Sequence, residues 1–104
     1  MSGSTVVVKI GTSSITDADG VINRSVVDKL CREVAAVRAL GHRVVVVTSG
    51  AIAAGLPELG LGGERRPSDA ITLQAVATVG QSTLMGVYRE SFAFHGLVSG
   101  QVLL

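Results

Sequence analysis

The chain has 104 residues, room for one domain, and its 9 Lys+Arg against 8 Asp+Glu leave a net charge of +1. That balance argues against a nucleic-acid or anionic-membrane partner, since either calls for a basic excess. A hydrophobic content of 47% excludes disorder, and a single cysteine, Cys31, excludes an intrachain disulfide or a Cys-based metal cluster and points to a reducing, cytoplasmic setting.

Thr5 to Ile10 is a β-branched run that ends at Gly11. Arg43 to Thr48 repeats the pattern and ends at Ser49 and Gly50. Both runs are continuous rather than alternating, as expected of strands covered on two faces. Between them lies a helix that Asn23 or Ser25 can cap, with Asp28 three residues after Ser25 as a weak capping box. Val27, Leu30, Val34 and Val37 form its apolar stripe, Asp28/Arg32 and Lys29/Glu33 can pair at i,i+4, and Gly41 is a ready C-terminal stop. Residues 51–59 read as a short helix, residues 60–67 as a Gly-rich loop, and Ser68 as the cap of a long helix reaching about His95. Residues 70–88 carry no charge, but Thr72, Gln74, Thr78, Gln81, Ser82 and Thr83 make them too polar for lipid, so the helix is expected inside protein. Leu97 to Leu104 is a third Val/Leu-rich, strand-like run. Strands alternating with helices predict an α/β fold with a parallel sheet.

Residues 1–5 lack the basic flank and apolar run of a signal peptide. Only 16% of residues are charged, against roughly 25% in an average soluble protein. Together with an ending on apolar, strand-like residues, this predicts a chain cut from a larger body, with much of its surface meant to be covered.

Lys9 stands near the end of an apolar strand. It either snorkels from an edge strand or sits at the carboxyl end of a central strand, where open α/β sheets bind ligands, and holds a phosphate. The hydroxyls and backbone N–H groups of Gly11, Thr12, Ser13 and Ser14 favour the second reading. Ser49, Gly50 and Ala51 form a second strand–helix joint, where the helix N-terminus suits an anion, although Ser49 could be an ordinary N-cap. The spacings of a P-loop, a dinucleotide fingerprint and a nucleophile elbow are all missing. His42 and His95 read as helix-end residues, and Arg65 and Arg66 as a solvated loop with at most a weak anion contact. Gly80, mid-helix near Ala75, Ala77 and Gly86, predicts close approach by another backbone.

Three blocks carry a resemblance: residues 7–13 (VVKIGTS), 46–55 (VVTSGAIAAG) and 77–81 (ATVGQ). Over essentially the whole chain the sequence resembles the amino-terminal part of the glutamate 5-kinases (γ-glutamyl kinases) of the amino-acid kinase superfamily, a pattern that also opens bifunctional pyrroline-carboxylate synthases. The resemblance implies a three-layer αβα sandwich with a mainly parallel sheet, of which residues 1–104 would be the amino-terminal part of a single kinase domain. It implies ATP-dependent phosphorylation of the L-glutamate side-chain carboxylate to γ-glutamyl phosphate, the first step of proline biosynthesis, with Mg²⁺ accompanying the nucleotide. By the same match, Lys9 is the catalytic contact to the ATP phosphates and Gly11, Thr12 and Ser13 shape the nucleotide loop. Ser49, with backbone from Gly50 and Ala51, holds glutamate, and no residue is assigned to the metal. The complete enzyme is expected to be a cytoplasmic homo-oligomer, while these 104 residues alone should be inactive. The alternative is a non-catalytic ligand-binding or interaction domain that keeps one half of the cleft.

Overall fold

A computed structural model describes residues 3–102. Strand β1 (Thr5–Ile10) is followed by a single helical turn, α1 (Thr12–Ile15), then by α2 (Arg24–Ala39), β2 (Arg43–Thr48), α3 (Ala51–Glu58), a 3₁₀ turn (Gly63–Arg65) and the 25-residue α4 (Ala70–Phe94). The β-branched runs form the strands because stiff side chains at χ1 favour extended backbone. They pair in parallel, from Thr5 against Arg43 to Ile10 against Thr48. Two parallel strands joined through α2 make a βαβ unit, so the α/β reading holds.

The third strand does not form within the described residues. Residues 97–102 have no regular structure, Val98 and Val102 lie open to solvent, and only Leu97 turns back, its N–H donating to the Phe92 carbonyl. An extended segment needs a neighbouring edge for its backbone groups, and none reaches it here. Leu103 and Leu104 lie outside the described residues.

Exposure alternates along both strands, which corrects the expectation of two covered faces. Ile10, Val44 and Val46 pack against the core, while Val7 (64% exposed), Val45 and Val47 face away from it. The covering helices all lie on one side. Val27, Cys31 and Val34 of α2 meet Leu84, Val87, Tyr88 and Phe92 of α4, with Ile15 and Ala54 completing the cluster. Cys31, fully buried, takes the centre of the α2 face, while Leu30 and Val37 sit at its half-buried margin. The described residues therefore make two layers. Their radius of gyration of 14.8 Å, against about 13 Å for a compact chain of 100 residues, fits such a slab.

Helix α2 is capped by Asn23, whose side chain accepts from the N–H groups of Ser25 and Val26. Asp28 makes no capping box and neither expected i,i+4 pair closes among the described residues. Instead Asp28 reaches α4, where its Oδ1 accepts from Ser91 Oγ and His95 Nε2, both at 3.0 Å. Those two bonds, Ser91 first and His95 second, hold its carboxyl below the ordinary value. Helix α4 is capped by Asp69 rather than Ser68: its Oδ2 accepts from both the N–H and the hydroxyl of Thr72. No helix among the described residues is long and apolar enough to cross a membrane.

Helices α3 and α4 cross with almost no side chain between them. A Cβ on Gly80 would collide with the Ala51 carbonyl and the Gly55 nitrogen, and one on Gly55 would collide with the Val76 carbonyl. The close approach expected at Gly80 is real, and its partner is α3 of the same chain.

Candidate functional site at the carboxyl ends of the strands

The strand β2 ladder runs one bond past its end, with the Ser49 N–H donating to the Ile10 carbonyl at 2.9 Å. The chain then reverses at Gly50, where φ is +121° and a side chain would be strained. A Cβ there would also press on Ile15 Cδ1 at 3.1 Å. Helix α3 starts immediately, and its N-cap is Gly50, not Ser49, with no side chain satisfying the cap. The reading of Ser49 as an ordinary N-cap is thereby overturned. Its hydroxyl has no partner among the described residues, and neither do the N–H groups of Ala51, Ile52 and Ala53 at the start of α3. Free N–H groups at a helix start are suited to an anion.

Behind this turn the framework is tied down. Thr48 Oγ1 lies 2.8 Å from Tyr88 Oη and donates to the Ser49 carbonyl. Tyr88 is only 4% exposed, and its burial, the largest effect on it, pushes its hydroxyl up.

An open concavity of about 510 Å³ lies over the α3 N-terminus. Its lining contains Thr12, Ser49, Gly50, Ala51, Ile52, Ala53, Arg66 and Ala77. Of the residues singled out in the sequence, Thr12, Ser49, Gly50 and Ala51 therefore come together, whereas Lys9, Gly11 and Ser13 are not in the lining. Lys9 is exposed rather than buried: it pairs in register with Val47 and lies on the uncovered sheet face. The segment after it is not a loop but the helical turn α1, anchored by the buried Ile15. Gly11 has an extended backbone (φ −79°), and a Cβ there would meet nothing within 4 Å. Neither conformation nor packing in this chain calls for glycine at position 11, a pattern that leaves room for something outside the chain to approach the backbone.

Arg66 and Ala77 were not picked out from the sequence as site residues. The signal for Arg66 is Pro67, which drives the preceding residue into extended backbone (ψ 122°) and so fixes its direction.

The sequence profile of the amino acid kinase family matches residues 4–104. The chain is 54% identical over 99 residues to a glutamate 5-kinase of Salinispora arenicola (strain CNS-205), an overlap that covers 95% of this chain and 26% of that protein. It is 46% identical to the glutamate 5-kinase of Pelobacter propionicus over 95% of this chain and 26% of the relative, and 39% identical to that of Streptococcus gordonii over all of this chain and 28% of the relative. The chain thus spans about a quarter of the length of the curated relatives it matches. With a profile matched across nearly its full length and the βαβ unit in place, the chain belongs to the amino acid kinase family.

Proposed function

We propose that this chain forms one wall of a site that phosphorylates the side-chain carboxylate of L-glutamate with ATP. The observation that carries the reading is the concavity itself. A hydroxyl (Thr12), an unbonded serine hydroxyl (Ser49), an uncapped helix start and an arginine line one hollow beside the carboxyl ends of two parallel strands. The names of the relatives supply the substrate, and the donor set agrees with it. Everything here donates hydrogen bonds to anions, which is what binding two polyanionic substrates asks for.

The chemistry needs no more than that from this wall. A glutamate carboxylate is already an anionic nucleophile, so its oxygen attacks the γ-phosphorus without giving up a proton. The new O–P bond forms as the bond from the γ-phosphorus to the β,γ-bridging oxygen breaks, and ADP leaves. Catalysis by the protein then consists of positioning and charge neutralisation. Ser49 and the α3 N–H groups hold the reacting carboxylate. Lys9 and the Gly11–Ser13 turn attend the phosphates from the end of β1. Among the described residues no group of three or more His, Cys, Asp or Glu could grip a metal. Mg²⁺, were it to accompany the nucleotide, would rely on the nucleotide itself rather than on a side-chain cluster of the described residues, and would supply charge neutralisation. The third layer of the sandwich would lie over the bare face of Val7, Val45 and Val47 and bring Lys9 under cover.

The test uses a chimera in which residues 4–104 replace the matching segment of the Salinispora arenicola protein. Ser49→Ala should raise KM for glutamate by about 1–3 kcal/mol of lost charge-assisted bonding, with KM for ATP little changed. Lys9→Ala should lower kcat by orders of magnitude with the fold intact. If Ser49→Ala moved KM for ATP alone, the two subsites would be reversed. Near-normal turnover of Lys9→Ala would remove Lys9 from the mechanism.

A further inference from the structure

Arg66 is the one charged side chain in the lining of the concavity, and no acidic residue accompanies it. Its guanidinium has no hydrogen-bond or ion-pair partner among the described residues, as is also true of Arg32, Arg65 and Arg89, and what sets Arg66 apart from those three is its place in the lining. Its backbone, by contrast, is held. The Leu61 N–H donates to the Leu56 carbonyl at 2.9 Å and binds the loop to the end of α3, while the Arg66 N–H donates to the Gly63 carbonyl at 3.1 Å. Pro67 then restricts the backbone of Arg66 from the other side. Arg65, its neighbour, is not in the lining. A pinned loop thus carries one unpartnered guanidinium to a hollow whose other members are hydroxyls, a helix start and the aliphatic surface of Ala51, Ile52, Ala53 and Ala77.

We propose that Arg66 binds the α-carboxylate of the amino-acid substrate, the carboxylate that is not phosphorylated, and thereby selects an acid over its α-amide. The inference rests on the function proposed above, with Ser49 and the α3 N-terminus taking the reacting carboxylate. A guanidinium presents two parallel N–H groups to a carboxylate, whereas a carboxamide can accept at one atom only. The aliphatic lining suits the methylenes that join the two ends of such a substrate and offers nothing further to a triphosphate.

The experiment measures kcat/KM in the chimera for glutamate and for its α-amide, which keeps the side-chain carboxylate, with Arg66, Arg66→Lys and Arg66→Ala. With Arg66 present, glutamate should be preferred roughly 10- to 100-fold, the size of a charged hydrogen-bonded pair. Arg66→Ala should bring the preference close to unity by weakening glutamate alone, and Arg66→Lys should fall between. Arg65→Ala should leave the preference as it was. Equal losses for both substrates, or a change confined to KM for ATP, would overturn the proposal, since a merely structural arginine or a phosphate contact behaves that way. If the chimera with Arg66 intact makes no glutamate-dependent ADP, the kinase reading fails, and Arg66 is then judged by amide resonances of the 104-residue chain. Glutamate that shifts Ala51, Ile52 and Ala53 in the parent chain but not in Arg66→Ala supports the contact; shifts that are absent or indifferent to Arg66 overturn it.

Discussion

Replacing Gly80 with alanine puts a methyl group into the backbone of α3. The new Cβ would stand 2.8 Å from the Ala51 carbonyl carbon, and closer still to its oxygen and to the Gly55 nitrogen. Ordinary contact is 3.4–4 Å, so α3 must retreat by about 1 Å. These neighbours are main chain and cannot turn aside as a side chain would. Overpacking of this kind costs about 1–3 kcal/mol, and the rigid partners place Gly80 at the upper end. Against that, alanine recovers about 1 kcal/mol of helix propensity. The net is a loss of about 2 kcal/mol, or roughly 10 °C in Tm for a chain of this size. Gly86, six residues further along the same helix, is the control: it is exposed and a Cβ there meets nothing within 4 Å, so Gly86→Ala should gain the propensity term and raise Tm by a few degrees. Thermal unfolding followed by far-UV circular dichroism reads both. Because the retreat moves Ala51, Gly80→Ala in the chimera should also raise KM for glutamate. A Gly80→Ala protein as stable as Gly86→Ala would refute the main-chain crossing of α3 and α4.

Asp28 gives a pH dependence with a definite sign. Ser91 and His95 hold its carboxyl below the ordinary value in the folded chain, so its contribution is present above the unfolded carboxylate range and fades as pH falls through the lower folded value. Asp28→Asn should accordingly flatten the acid limb of a plot of Tm against pH, and an unchanged acid limb would show that the α2–α4 clasp contributes nothing. Tyr88→Phe removes the partner of Thr48 behind the Ser49 turn and should cost about 0.5–1.5 kcal/mol in urea unfolding, while a neutral result would show that Thr48 is satisfied by the Ser49 carbonyl alone.

Much of this was legible in the sequence, and for physical reasons. Two β-branched runs separated by an amphipathic helix can hardly be anything but a parallel βαβ unit, and Asn23 and Gly41 mark the ends of that helix as their chemistry requires. Gly80 announced a main-chain crossing because a mid-helix glycine needs a reason. The misses come from competition and from distance. Ser68 and Asp69 can both cap α4; the carboxylate wins by accepting two bonds from Thr72. Asp28 had a local role in a capping box and as a partner of Arg32, yet Ser91 of α4 and its C-cap His95, 63 and 67 residues away, take it. The continuous apolar runs of β1 and β2 report that both faces are apolar, not that these residues cover both. The joint at Ser49, Gly50 and Ala51 could be seen locally, but the return of the 60–67 loop to the same hollow could not, because charges in a Gly-rich loop look solvated until the fold places them.

The most direct measurement is the trapping of the acyl phosphate. Hydroxylamine captures a carboxyl phosphate as a hydroxamate, so product chemistry is read separately from mere ATP hydrolysis. The chimera supplied with ATP, Mg²⁺ and glutamate should form glutamyl hydroxamate in step with ADP; the Lys9→Ala form should lose both together, and the Ser49→Ala form should lose both together when glutamate is held near the KM of the unsubstituted chimera. The 104-residue chain alone, which presents one open wall of the site, should form neither. ADP released by the chimera without hydroxamate, or hydroxamate formed undiminished when Lys9 and Ser49 are both replaced, would contradict the assignment of this concavity as the wall where a carboxylate meets the γ-phosphate.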